Sequence, residues 1–522
     1  MDATFQTPLT VDKSIVGLLS RSTYQRNFSY ALREMISNAY DADATVVEIN
    51  FDRQKNELTI RDNGNGMTKE EFDFYLKIAG QKRGKRVTPR FGRKRIGRFG
   101  VGFLSVLPFC ETLQIVTTTE NSPVVLTADV PAQEFFKTSE RDVEVGEILV
   151  PGVLVEDERK LDEHSTVIRL KDLNEHARSR LIKDAKGAKA DTIAKWAPYD
   201  RLVWELQDEL PLPFPEGSKL NEVLAYPEPV GVEVFFQGEK LFRNETGGEI
   251  LESGEFKLDK IRCRFAIVTP WKPVKPMEMR YMKLRLNNIG VGPRRDFDIQ
   301  RGRRYSRITW LSGEAQIMEG LDDAINVSRE DFIQSPEFEA LSQRLNGLLR
   351  KHADEVEVID VAARDMTRQV SGSKQVRVAS KREVVDANVK KLVARGFRVK
   401  TVPASQAPRR AEPVKIDRSK REITVIEGHA TLEDRISVGG KNFNIVYKDL
   451  DQDTATKGLP CVLDGRNKVI VNTNYRLFRS KRYGEVFKRV CIVLTVAKQV
   501  SRSADQMYKY LVEQFDQQFS DF

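Results

Sequence analysis

Apolar residues at Ala31, Leu32, Met35, Ile36 and Ala39 fall on one face of a helix over 30–40. The pattern then shortens to a period of two. Residues 45–51 and 57–60 alternate apolar and polar positions, which predicts the strands of a hairpin. Residues 103–119 and 123–130 read as further strands, and 165–170 as one that closes an α/β unit spanning 1–175. A charged, helical stretch with Trp196 and Trp204 runs on to about 225. Strands at 232–236 and 281–286 and a helix at 335–356 predict a second α/β domain over 176–365. Between 366 and 420 Lys, Arg, Ser and Pro dominate. A helix around 384–394 interrupts what otherwise reads as a basic linker, with 403–413 as its extended part. Globular patterning resumes over 421–522 as a smaller α+β domain. It has strands at 423–425 and 469–472, then two helices, the second with Met507, Tyr508, Leu511, Val512 and Phe515 on one face.

Composition narrows the class. Hydrophobic residues make up 40% of 522, enough to bury several cores and too many for a wholly disordered chain. The 85 Lys+Arg against 76 Asp+Glu leave +9, a moderate basic excess. The four cysteines (Cys110, Cys263, Cys461, Cys491) lie far apart without a CxxC pair. They give no sequence-visible zinc module or disulfide framework and fit a reducing, cytoplasmic setting. No apolar run is long enough to span a bilayer, and the first residues show no secretory leader, so no membrane association is expected.

Three short segments carry candidate chemistry. In Glu34-Met-Ile-Ser-Asn38-Ala-Tyr-Asp41-Ala, positions 34, 38 and 41 stand at i, i+4 and i+7, so two carboxylates and an amide share one helical face. Asn38 could offer its oxygen to magnesium, and Glu34 could orient and deprotonate a water. An ordinary polar surface face would read the same way. In Asp62-Asn63-Gly64-Asn65-Gly66-Met67, glycines after a strand let a flat base approach the backbone, and a buried Asp can accept from an exocyclic amine. A plain hairpin turn has similar chemistry. In Ile96-Gly97-Arg98-Phe99-Gly100-Val101-Gly102-Phe103, a glycine-rich loop entering an apolar, helix-compatible run points several amides at one place, a phosphate cradle. The spacing is neither that of a Walker A loop nor of a dinucleotide fingerprint.

The three segments in this order, followed by the strand beginning Ser165-Thr166-Val167-Ile168, resemble the GHKL ATPases (gyrase B, Hsp90, MutL and histidine kinases), whose nucleotide site is the Bergerat fold. Within that superfamily the chain looks most like Hsp90 over 1–357. Arg98 stands where Hsp90 has glutamine, and Asp43-Ala44-Thr45 looks more like MutL. The resemblance implies ATP and Mg2+ as cofactors, Glu34 as catalytic base, Asn38 as magnesium ligand and Asp62 on the adenine. It also implies Thr166 supporting the base through water, and the amides of Gly100 to Phe103 on the phosphates. Asp41 would bound the pocket. Further on, Asp322-Asp323-Ala324-Ile325-Asn326-Val327-Ser328-Arg329-Glu330 resembles the Hsp90 middle-domain loop. This implies a ribosomal S5-like second domain and Arg329 as a cation reaching the γ-phosphate. The glutamine that the family has four residues after this arginine is Ile333 here, with Gln334 beside it. A helix start with Ser328 as N-cap would also explain the segment.

From Gln81 to Arg98 stand nine basic residues (Lys82, Arg83, Lys85, Arg86, Arg90, Arg93, Lys94, Arg95, Arg98) and no acid. In the superfamily this interval is the lid over the nucleotide. These cations could meet phosphates on closure, bind nucleic acid together with Arg301, Arg303, Arg304 and Arg307, or form a solvated loop. The sequence thus leads to an ATP-hydrolysing clamp, homodimeric through 421–522, acting on a protein client or partner complex. The alternative is a MutL- or MORC-like clamp on DNA, favoured by the basic lid and by the linker residues Arg409, Arg410, Lys415, Arg418, Lys420 and Arg421. A histidine kinase fits poorly: of His164, His176, His352 and His429, none lies in a helical acceptor module ahead of the ATPase segment.

Overall fold

The computed structural model describes residues 27–77, 87–97, 102–136, 148–157, 163–183, 190–226, 230–299, 305–322, 324–326, 330–371, 381–403, 414–427, 434–438, 441–451, 454–479 and 484–519. The chain divides into two compact units, Met1–Asp354 and Glu355–Phe522. Both are mixed α/β, as the periodicities require.

The first unit opens with helix α1 (Phe28–Asp41) and hairpin β1 (Val46–Asp52) and β2 (Glu57–Asp62). Next come α2 (Lys69–Tyr75), β3 (Thr112–Thr118), β4 (Val124–Pro131), β5 (Gly152–Glu156) and β6 (Ser165–Lys171). Then follow α3 (Glu175–Leu181), α4 (Pro198–Glu209), α5 (Leu220–Leu224), β7 (Glu233–Phe236) and β8 (Glu239–Lys240). The eight strands form one sheet in the order β5-β4-β3-β6-β2-β1-β7-β8, antiparallel except for the parallel pair β1 and β7. Alternation places Val47, Ile49, Leu58, Ile60, Leu113, Ile115, Ile168 and Leu170 in the core beneath α1, whose residues from Phe28 to Ser37 are buried except the half-buried Tyr30. Helix α2 begins with a capping box, Thr68 accepting from the Glu71 amide while Glu71 returns to the Thr68 amide.

Two expectations change here. The expected strand over 103–119 starts only at Thr112; before it run 3-10 turns, Gly102–Ser105 and Leu107–Phe109. Phe103, Leu104, Val106, Leu107 and Phe109 are all buried, and a continuous apolar run has no period to separate turn from strand. The boundary expected at 175 falls inside a continuous sheet and core, since β7 pairs with β1 and Leu202, Leu206, Leu210, Val234 and Phe236 join the same cluster. A parallel partner arrives through a long crossover, so nothing local announces it.

The rest of this unit is a five-stranded sheet, β12-β11-β13-β10-β9, from β9 (Glu249–Leu258), β10 (Ile261–Thr269), β11 (Tyr281–Leu286), β12 (Ile289–Arg295) and β13 (Ser312–Glu319). Helix α6 (Pro336–Ser371) follows.

In the second unit the interval expected to be a linker carries α7 (Lys381–Val393), β14 (Arg398–Pro403) and β15 (Val414–Asp417), which join β16 (Glu422–Glu427) in a sheet ordered β14-β16-β15. Val385, Leu392, Phe397, Val414 and Ile423 are buried there; the pattern is hidden in sequence by the intervening Lys and Arg. Strands β17 (Asp434–Val438), β18 (Lys441–Lys448), β19 (Cys461–Leu463) and β20 (Lys468–Asn472) form a sheet ordered β17-β18-β20-β19, covered by α8 (Gly484–Val500) and followed by α9 (Ala504–Phe519). On α9, Leu511 packs towards this core while Tyr508 and Val512 are exposed. Among the described residues, no helix is long and apolar enough to cross a membrane.

Candidate nucleotide-binding site

Three neighbouring strands end alike. Along β2 the inward positions are Leu58, Ile60 and Asp62; along β6 Leu170, Ile168 and Thr166; along β3 Leu113, Ile115 and Thr117. The ladders place Asp62 opposite Thr166 and Thr166 opposite Thr117. An apolar stripe across the sheet therefore finishes in a buried polar row of one carboxyl and two hydroxyls. The Thr117 hydroxyl accepts the Met67 amide at 2.9 Å and lies 3.2 Å from the Thr166 hydroxyl.

Asp62 is buried, and desolvation pushes its pKa up to about 6 against the opposing pull of the Gly64 amide, His164 and the Thr166 amide. The Gly64 N–H donates to its Oδ1 at 2.8 Å. A carboxylate so placed keeps acceptor capacity for a ligand amine. The turn that follows is tied to the end of α1, with the Asn65 amide donating to the Ala42 carbonyl at 2.7 Å. Gly66 has φ +69°, and a Cβ there would stand 1.9 Å from the Thr118 carbonyl oxygen, so that position admits glycine alone. His164 reaches the Gly64 carbonyl through Nδ1 at 2.7 Å.

On the opposite wall, α1 presents the predicted face. Glu34 is buried and paired with Arg33 at 3.3 Å. Asn38 lies against the start of the 3-10 turn: a Cβ at Gly102 would be 3.3 Å from its Nδ2. Asp41 takes the amides of Ile96 and Gly97 at 2.7 and 2.6 Å, so it anchors the entry to the glycine segment. Tyr75 sits between the two walls. Its hydroxyl is buried beside the Asn38 amide without a well-formed hydrogen bond to it; burial foremost, and the Asp62 charge, hold its pKa above normal. Its ring lies 5.7 Å from that of Phe103.

The structure thus gathers Asn38, Asp41, Gly97, Gly102 and Phe103 on one side, and Asp62, Gly64, Gly66, Met67 and Thr166 on the other. Thr166 stands at the Asp62 end. Arg98, Phe99, Gly100, Val101 and Arg329 lie outside the described residues, as do Lys82, Arg83, Lys85 and Arg86. Thr117, Tyr75 and His164 were not found from sequence. Strand alternation alone would have pointed to Thr117, whereas nothing local marks the other two.

The basic segment divides. Arg93 is fully buried and donates to the carbonyls of Tyr40, Ala44, Val230 and Gly231, with Phe91 and Tyr40 rings beside its guanidinium. Lys94 donates to the Met318 carbonyl at 2.6 Å. Both are therefore engaged with the protein's own backbone, so none of the three readings of the basic interval (phosphate contact, nucleic-acid binding or a solvated loop) describes these two residues. The Thr88–Arg93 turn itself is held by Asp43, which accepts from the Thr88 hydroxyl and the Arg90 amide.

A buried acceptor at the strand ends, an amide and carboxylates on the facing helix and freed glycine backbone between them fit a nucleotide. Among the described residues, no group of three or more His, Cys, Asp or Glu could hold a metal. A magnesium ion here would take Asn38 as protein ligand and fill its shell with phosphate oxygens and water, as that ion prefers.

Residues 26–145 match the family model described as histidine kinase-, DNA gyrase B-, and HSP90-like ATPase. Over 116 residues (22% of this chain, 18% of the relative) the chain is 33% identical to a protein described as "Putative type II restriction enzyme HgiDII" of Herpetosiphon aurantiacus. It is 30% identical over 132 residues to chaperone protein HtpG of Bacillus licheniformis, covering 21% of each chain. With HtpG of Pasteurella multocida the identity is 32% over 129 residues, 20% of each. The chain spans about a fifth of the length of the curated relatives it matches. Over 26–145 the chain is therefore similar in sequence to the histidine kinase-, DNA gyrase B- and HSP90-like ATPase domains, and the pairing of α1 with the ends of β2 and β6 is compatible with that likeness.

Proposed function

We propose that this chain binds Mg-ATP between α1 and the ends of β2 and β6, hydrolyses it, and uses the cycle to change shape as a clamp on a protein client or partner complex. The observation that carries the reading is the pairing of walls: Asn38 and Asp41 against the glycine segment, Asp62 and Thr166 facing them from the sheet. Asp62 accepts the adenine amine; an analogue lacking that donor would leave a buried acceptor unpaired, at a cost of about 1–3 kcal/mol. Glu34 orients the attacking water and takes its proton, while magnesium neutralises charge on the phosphates. Arg329 completes the charge stabilisation. The likeness to HtpG supports a protein client. Two such chains would pair through 421–522, which solution mass with and without those residues tests: an unchanged monomer removes the dimer.

A second reading, a clamp on nucleic acid, draws on the basic residues of 82–98 and on the relative described as a restriction enzyme. Against it, Arg93 and Lys94 are engaged within the first unit, and Arg418 and Arg421 pair with Asp360 and Glu355 at 3.0 Å in the second. ATP turnover measured with and without DNA across salt concentrations decides. The protein-clamp reading expects turnover indifferent to DNA; stimulation by DNA that fades steeply with salt overturns it.

A further inference from the structure

The Arg33 guanidinium is shared. It lies 3.3 Å from Glu34 and 3.2 Å from Glu209, with all three side chains buried. Glu209 in turn holds Lys283 at 2.6 Å, and Lys283 also meets Asp208 at 3.0 Å and donates to the Gly292 carbonyl at 2.7 Å. Arg294 closes the row on Asp208 at 2.9 Å. Charges therefore alternate from the candidate base on α1, through the end of α4, to β11 and β12. Asp208 and Glu209 occupy the C-terminal end of α4, where the helix dipole disfavours carboxylates. A row of buried ion pairs is seldom worth more than a well-packed apolar core, so stability alone does not account for it. Gly290 leaves room for the pair: a Cβ there would be 2.8 Å from Lys283 Cε and 2.9 Å from Glu209 Oε2. The far end adjoins residue 330, since a Cβ at Gly292 would be 2.4 Å from the Glu330 carbonyl oxygen, and the Glu330 charge is felt at Tyr30 on α1.

We propose that Glu209 and Lys283 are positioning residues for hydrolysis, setting how Arg33 divides itself between Glu209 and Glu34. Arg33 held wholly by Glu34 keeps that carboxylate from the water; Arg33 drawn towards Glu209 releases it. Lys283, by competing for Glu209, regulates the division from the β11–β12 hairpin. The inference rests on Glu34 being the base, as proposed above.

The test uses the full chain, steady-state ATPase kinetics and titration with a non-hydrolysable ATP analogue. Glu209→Gln is expected to lower kcat about tenfold while KM and analogue affinity stay within twofold, and Glu209→Asp, which keeps the charge, to retain most of the activity. Lys283→Met is expected to raise kcat a few-fold, and to have no effect in the Glu209→Gln background, because it acts through Glu209. Equal losses from Gln and Asp, losses in affinity matching those in kcat, or a Lys283→Met effect that survives in the double variant would overturn the relay. Should Lys283→Met fail to bind the analogue through misfolding, the contrast between Gln and Asp at 209 decides alone. A parent chain without ATPase activity would sink the reading of the site itself. An active parent indifferent to Glu209→Gln would sink only the relay.

Discussion

The Asp41 carboxylate receives the Gly97 amide at 2.6 Å, tying the last residue of α1 to the glycine segment that follows the basic stretch. Its second bond, to the Ile96 amide at 2.7 Å, makes the tie two-pronged. Hydrogen bonds to a charged group contribute about 1.5–3 kcal/mol each. Asp41→Ala is therefore expected to weaken ATP-analogue binding at least tenfold in a calorimetric titration, through misplacement of the segment. Unchanged affinity would show that the glycines find their place without this anchor.

Glu34→Ala should abolish turnover and leave nucleotide bound. Arg33 keeps Glu209 as partner in this variant, so the buried guanidinium is not stranded and the fold survives. The measurement pairs phosphate release with analogue titration; full hydrolysis by the variant would place the base elsewhere.

Asp62 predicts a trade between binding and stability. Its pKa stands near 6 because burial opposes its charge, so the folded protein bears a penalty that builds up from about pH 4 and is complete above about 6. The sign follows from linkage: a carboxyl whose folded pKa lies above its unfolded one destabilises the fold at neutral pH and ceases to do so as the pH falls through 6 towards 4. Asp62→Asn is expected to lose adenine-nucleotide binding yet gain roughly 2–3 kcal/mol of stability at pH 7. Urea unfolding at pH 7 and pH 4.5 checks this, with the gain clearly smaller at the lower pH.

Arg93 is expected to behave as core. Truncating it takes a donor from four carbonyls and empties a buried side-chain site, so Arg93→Ala should lower the unfolding free energy by about 3 kcal/mol in urea. If the chain binds DNA, Arg93→Ala in its folded state should leave the salt dependence unchanged. A reduced slope would show that Arg93 contacts phosphate after all.

Local order was legible wherever spacing along the chain carries it. A period of 3.6 puts Glu34, Asn38 and Asp41 on one face, and a period of two puts Asp62 at the inward end of a buried strand. Those readings need no partner, because helix and strand geometry fix the direction of each side chain relative to its neighbours in sequence. The same reasoning failed over the apolar run at 103–111 and across the charged interval before 420, where the pattern is saturated or masked.

Pairing between distant segments was decided by the tertiary structure. Registry across β2, β6 and β3 set Thr117 beside Thr166 and Asp62. A parallel pairing drew β7 into a sheet whose first six strands precede it by more than sixty residues. Folding also turned Arg93 inward and joined Arg33 to Glu209 across 176 positions. Such relationships depend on which surfaces bury one another and which buried charges must find partners, and no short-range pattern encodes that choice.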